Sequence, residues 1–338
     1  MSKKKNAGGL VKVGNLVRAL PVIRHNTAKL NPNGPIALRL IEGETLIRTG
    51  EELARVWSHS AFCQIGLPYR DPGDEIREWE RKNGNVHLKV LAGEAMHPQT
   101  EKFVKVGLPW GPKVRLVQIY LDTEAVLHQS PVIETDRSLT SFITDKLKLD
   151  SHGRNMRTVK DALARFSAST FRFGIIDAGK ARTINTSIVE SFDIWFPKDE
   201  RQRVLWPSYV QYSLPYYENL LEHAVPLSEE AISALAHSAM ALDIYRWLAQ
   251  RLHRIRPDHP TLLFWNLLHE QFGWNIARLD NFRRIFLQAL NEVLRVYPAA
   301  QGKVYVDQPN GRCNDGRGLW LCHAQPPVRK VQQKVLLP

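Results

Sequence analysis

Twice along this chain, three stretches with helical spacing are followed by a switch to period two. In the first run, "PKVRLVQIYLDTEAVLH", "SLTSFITDKLKL" and "MRTVKDALARFSAS" predict helices. Pro112 stands at a helix start and Ser138 at a capping position. Met156, Val159, Leu163 and Phe166 share one face of the third helix. Then "TFRFGIID", a turn "AGKA" and "RTINTSIVESFDIWF" read as strands. In the second run, "ALAHSAMALDIYRWLAQRLHRI" predicts one long helix starting near Ser228. "TLLFWNLLHEQF" predicts a second, closed by Gly273, and "NIARLDNFRRIFLQALNEVLRVY" a third, stopped by Pro298. "KVYVDQPNGRCNDGRGLWLCHA" reads as strand, turn and strand. Three helices and then a β-hairpin is the order of a winged helix, with the third helix as the reading helix. The expected fold is α+β: two tandem winged-helix domains (helix-turn-helix plus β-wing) at 106–205 and 206–325, preceded by a basic N-terminal arm. Their boundary falls near "WFPKDERQRVLWPS".

The flanks differ from this body. The 338 residues carry 46 Lys+Arg against 34 Asp+Glu, a net charge of +12. Residues 1–41 hold eight basic residues and no acid, and 323–338 hold Arg329, Lys330 and Lys334, again without an acid. The excess therefore sits on two tails, and the body between them is close to neutral. We read 1–41 as a flexible basic arm, 42–105 as an N-terminal accessory region, and 326–338 as a basic tail. Within 42–105, "GEELARVW" and "DEIREWERKNG" have helical patterns and "NVHLKVLAG" alternates like a strand. No apolar run is long enough to span a membrane, and no secretory leader precedes the body. Three scattered cysteines fit a reducing cytosol rather than a disulfide framework.

The charge pattern inside the body points to double-stranded DNA. Arg154, Arg157, Lys160, Arg165, Lys180 and Arg182 crowd the third helix of the first domain and the strands after it. The third helix of the second domain offers Asn275, Arg278, Asn281, Arg283 and Arg284, and its wing Arg312 and Arg317. Arginine matches guanine O6/N7 and asparagine matches adenine N6/N7, each in a bidentate pair in the major groove. A solvated helix face is the plainer alternative for both sets. Other motifs are better explained by packing. "GIIDAGKA" has the spacing of a P-loop, but Ala181 replaces the metal-binding hydroxyl and the string joins strand to strand. Cys313, Cys322 and His323 lack a usual zinc spacing and a fourth ligand. Tyr216 and Tyr217 have no pair of histidines flanking one apolar residue to serve a nicking reaction. We therefore expect no enzyme activity, no metal and no cofactor.

The strings "GLPWGPKVRLVQIYL", "DSHGRNMRTVKDALARFSAS", "SFDIWFPKDERQRVLWPS" and "ALAHSAMALDIYRWLAQRLHRI" resemble the RepA-type plasmid replication initiators, over about residues 86–325. The resemblance implies a theta-type plasmid initiator that binds direct repeats (iterons) at its origin and helps open adjacent DNA. It also implies recruitment of host replication proteins, such as the chromosomal initiator and the replicative helicase, along with a homodimeric form and repression of the protein's own promoter. A winged-helix transcriptional regulator without an unwinding role is the competing expectation from the residues alone.

Overall fold

The computed structural model describes residues 34–49, 53–97, 100–135, 140–146, 149, 153–177, 180–195, 206–307 and 317–328. Two helices, α3 (Gly111–His128) and α7 (Ala239–Arg251), lie at its centre. Both are buried round nearly their whole length, the exposed last turn of α3 at Leu127 and His128 excepted. α3 starts as expected, with Pro112 in its first turn.

Each central helix begins a unit of the same topology. In the first, α3 leads to β6 (Val132–Glu134), a π-helical turn (Phe142–Lys146) and α4 (Gly153–Ala168). Strands β9 (Val189–Trp195) and β10 (Trp206–Tyr212) then return, and the sheet order is β6-β10-β9. In the second, α7 leads to β12 (Thr261–Phe264), α8 (Trp265–Phe272) and α9 (Leu279–Arg295). Strands β13 (Val304–Val306) and β14 (Gly318–Leu321) close the unit, in the order β12-β14-β13. Both sheets therefore place the last strand between the first and the second.

The strands expected to form the first wing do something else. β7 (Thr170–Asp177) and β8 (Lys180–Thr186) leave the unit and join β2 (Glu78–Asn83) and β3 (Val86–Leu91) in an antiparallel sheet ordered β2-β3-β7-β8. The hairpin that returns beside α4 is β9–β10. The P-loop-like string lies across the β7–β8 pair, where Asp177 faces Lys180. That sheet also corrects "DEIREWERKNG", expected to be helical. Trp79 and Arg81 point inward while Glu78, Glu80 and Lys82 point out, which is period two. "NVHLKVLAG" is a strand as expected.

Other expectations yield to local caps and distant pairing. "GEELARVW" ends in β1 (Arg55–His59), which pairs antiparallel with β11 (Ala224–Ser228). The long helix expected from Ser228 to Ile255 is two: α6 (Glu229–Leu235) and α7, each opened by a serine. Ser228 Oγ accepts from the Ala231 amide and Ser238 Oγ from the Ala241 amide. "TLLF" is strand because Gly318–Leu321 pairs with it. Ser138 lies outside the described residues.

Residues 35–41, read as part of the arm, begin helix α1 (Pro35–Arg48). It packs on α6 so closely that a Cβ at Gly43 would lie 2.8 Å from that of Ala234. Arg295 of α9 donates to Glu44 of α1 at 3.0 Å. The short helix α2 (Ser60–Gln64) leans on α7, hairpin β4 (Glu94–His97) with β5 (Lys102–Lys105) follows β3, and α5 (Leu214–His223) leads into β11. One continuous apolar cluster runs from Leu40 to Ala324, so elements of 34–105 pack against both units.

Candidate nucleic-acid interface

α4 and α9 stand at corresponding places, third among the helical elements of their units. α4 buries Val159, Ala162, Leu163 and Phe166 and exposes Arg157 and Thr158. Lys160 is half-buried on the same helix and already partnered. Arg165 faces inward, with a side chain only 16% exposed. Its guanidinium bonds Asp161 at 2.8 Å, reaches the Leu108 carbonyl at 3.4 Å and lies 3.8 Å from Asp74. Gly107 makes room for it, since a Cβ there would lie 2.0 Å from the Arg165 Nη1. Arg165 thus ties α4 to the segment before α3. Arg154 lies in the first turn of α4, and Lys180 and Arg182 lie on β8, away from the β9–β10 hairpin.

α9 buries Phe282, Phe286, Ala289 and Val293, with Ile276, Leu279 and Ile285 packed at the margin of that apolar face. Asn281, Arg284 and Gln288 are exposed on it, and Arg284 donates to Asn281 Oδ1 at 2.8 Å. The helix starts later than its apolar pattern suggests. Asn275 precedes it in the left-handed region at φ 62°, and Arg278 occupies the capping position. Arg278 grips Asp280 with two bonds, 3.1 and 2.7 Å. These two residues therefore do not continue the Asn281–Arg284 face along one helix. Arg283 folds over the Trp265 ring, 5.5 Å from its centroid, so its aliphatic stem packs. Asn281, Ile285, Gln288 and Glu292 line one wall of a cleft of about 540 Å³ that Trp274, Ser238 and Tyr69 complete. Arg317 is exposed and bonds Asp307 at 2.8 Å. Arg312 lies outside the described residues, as does Cys313.

The residues that join the two units escaped the sequence reading. Arg115, Gln118 and Asp122 repeat at helical spacing along α3, and Asp243 and Arg246 along α7, all buried. Arg115 donates to both Asp243 oxygens, at 2.8 and 2.7 Å, and Arg246 to Oδ1 at 2.5 Å. Arg246 also donates to Gln118 Oε1 at 2.6 Å, and Gln118 donates to Asp122. Asp122 further accepts from the Tyr212 and Tyr216 hydroxyls at 2.9 and 3.0 Å and from the His59 amide at 2.8 Å. Burial pushes Asp122 up to about 7 against those donors. Burial would raise Asp243 as well, but Arg115 and Arg246 hold it below the usual carboxylate range. The signal available in the sequence was a charged residue every three or four positions inside helices otherwise apolar all round.

Residues 108–266 match the family described as plasmid encoded RepA protein. Over this segment the chain is RepA-like. The matched segment holds the whole first unit, the connecting helices, α7 and β12, and stops as α8 begins. The resemblance read over 86–325 is thereby carried by its central part. Two solved structures of domains 2 and 3 of RctB align with the chain. The first has a TM-score of 0.49 and 11% identity, covering 79% of this chain and 99% of its own. The second has a TM-score of 0.44 and 10% identity, covering 73% and 87%. No curated protein matches the chain. Among the described residues no helix is long and apolar enough to cross a membrane, and no cluster of metal-ligating side chains occurs.

Proposed function

We propose that this protein initiates plasmid replication by binding direct repeats at its origin through two winged-helix units. The observation that carries this reading is the RepA-family match over 108–266. The repeated topology supports it, because strand order first–third–second behind three helical elements is what sets a reading helix beside a wing. α4 and α9 are then the reading helices, and β9–β10 and β13–β14 the wings. On α9, Asn281, Arg284 and Gln288 read base edges, with Arg278 beside them at the helix start. On α4, Arg154, Arg157 and Lys160 chiefly hold phosphates. Lys180 and Arg182, on the β2-β3-β7-β8 sheet, make phosphate contacts only if DNA extends past the first unit, and Arg312 and Arg317 do so from the second wing. The basic arm adds contacts that do not depend on sequence. The free protein is a homodimer in the cytoplasm, recruits host replication proteins, represses its own promoter and has no catalytic site.

The test is maintenance of a replicon that has no other origin, carrying this gene and its flanking DNA. Stable transformants are expected, and their loss when the flanking repeats are scrambled. Failure of maintenance while the purified protein still binds the flanking DNA selectively would replace this reading with that of a transcriptional regulator.

A further inference from the structure

We infer that the buried Arg115–Asp243–Arg246–Gln118 network is a rigid strut that fixes the spacing between the two DNA segments read by α4 and α9. The inference rests on the two-reading-helix function proposed above. α4 packs on α3, and α9 packs on α7, so the relation of the reading helices is set where α3 meets α7. The strut crosses that junction. Arg115, Asp243 and Arg246 have side chains 0%, 3% and 1% exposed. Both Asp243 oxygens are engaged, and the rest of the Arg115 guanidinium is held by the Leu67, Pro68 and Gly111 carbonyls. Gly66 makes room for the carboxylate: a Cβ there would lie 2.0 Å from Asp243 Oδ2.

Apolar surfaces can slide over one another at modest cost. A forked, charged contact cannot, because any shift leaves a charge buried and unpaired. The α3–α7 junction is therefore stiff in both translation and rotation. DNA makes this stiffness visible. One inserted base pair moves the second segment by roughly 3.4 Å and turns it by about a tenth of a turn. A stiff junction cannot follow that displacement, so Arg115, Asp243 and Arg246 act as positioning residues for repeat recognition without touching DNA.

The experiment uses the full chain and origin duplexes with one base pair removed, or one or two added, between the segments footprinted by the two units. We expect the native protein to lose about tenfold or more in affinity when one base pair is added. The variant Arg115→Met, Asp243→Leu, Arg246→Met removes the three junction charges together and leaves nearby buried Arg81 on the Gln271 carbonyl and the Tyr69 and Trp79 rings, so its melting transition is checked first. It should lose less than about threefold on the same duplex while keeping preference for the repeat over scrambled DNA. An unchanged spacing penalty in the folded variant overturns the strut. So does a native protein that tolerates the insertion, a result that needs no variant. A native protein indifferent to repeat and scrambled DNA overturns instead the assignment of α4 and α9 as reading helices, and the inference falls with it.

Discussion

The two units share one topology and use the chain after the third helical element differently. In the second unit, α9 turns at Pro298 into β13 without leaving the unit. In the first, the chain after α4 makes a detour through β7 and β8, which complete the sheet begun by β2 and β3. Their aromatic cores follow suit. Trp265, Phe272, Phe282 and Phe286 form a cluster within the second unit. Phe166 of the first packs instead, with tilted rings, on Phe62 and Phe171, which belong to the N-terminal segment and the detour. Their buried acids differ too: Asp243 faces two guanidinia, whereas Asp122 faces hydroxyls and amides. The first unit shares its aromatic core with the N-terminal segment and the detour, whereas the second keeps that cluster within itself and meets the N-terminal segment through Gln271, which bonds Arg81 and Gln64, and Trp274, which lies edge-on to Trp79.

The largest effects test that contrast in the cores. Phe286→Ala and Phe166→Ala should each cost about 3–5 kcal/mol. Both should lower a single melting transition, since the apolar cluster is continuous. Phe166→Ala should speed hydrogen exchange in β3 and β7 more than Phe286→Ala does. Equal exchange there in the two variants would mean that the first unit's aromatic core is shared no more than the second's.

The buried acids come next. Asp122 sits at about 7 in the folded chain against an ordinary 3.8. Between those values the folded state holds a proton that the unfolded state has released, so stability falls as pH rises. His59 runs the other way. Burial, chiefly, lowers it to about 4 from 6.5, so the unfolded state holds the extra proton and stability rises with pH. The two trends oppose each other from about pH 4 to 6.5. Asp122→Asn should unmask the histidine, giving a stability that rises by about 1.4 kcal/mol per pH unit across that window. Urea midpoints at pH 4.5, 5.5 and 6.5 measure it, and a flat response in the variant would break the opposition.

Smaller effects concern the reading helices. Arg284→Ala should cost about 1–3 kcal/mol in repeat binding and relax preference at one base position. Arg157→Ala should weaken binding to all duplexes alike and lower the log-log salt slope by about one. The reverse pattern would exchange the roles of the two units. The smallest change is Asp280→Ala. Its pair with Arg278 lies in water, so melting should fall only by the small contribution of an acid in the first turn of α9. Releasing Arg278 should slightly strengthen binding to any duplex, which titration at low salt would detect.

Periodicity made α4 and α9 legible, because each turns a continuous apolar face to the core. It also made visible the repeated order of helices and hairpin. What stayed hidden depends on partners distant in sequence. "TLLF" and "GEELARVW" look helical until Gly318–Leu321 and Ala224–Ser228 are brought alongside them. The break at Ser238 hangs on one side-chain hydrogen bond. Among the site residues, spacing alone put Arg165 and Arg283 with the other cations, although one braces the segment before α3 and the other lies over Trp265. Asn275 and Arg278 fell off the helix because residue 275 has a positive φ, which no apolar pattern reports.

The β1–β11 pairing also bears on how the chain is made. Beside it, the Ala54 amide donates to Glu230, 176 residues further on. A growing chain therefore exposes β1 as an open edge until two thirds of the protein has left the ribosome. Contacts of such long range slow folding and leave strands free to pair with the wrong neighbour. A chain truncated after β10 would hold all of the first unit and still lack the partner strand for β1. The first unit should consequently be hard to obtain as a soluble fragment, whereas the second begins and ends within its own last hundred residues.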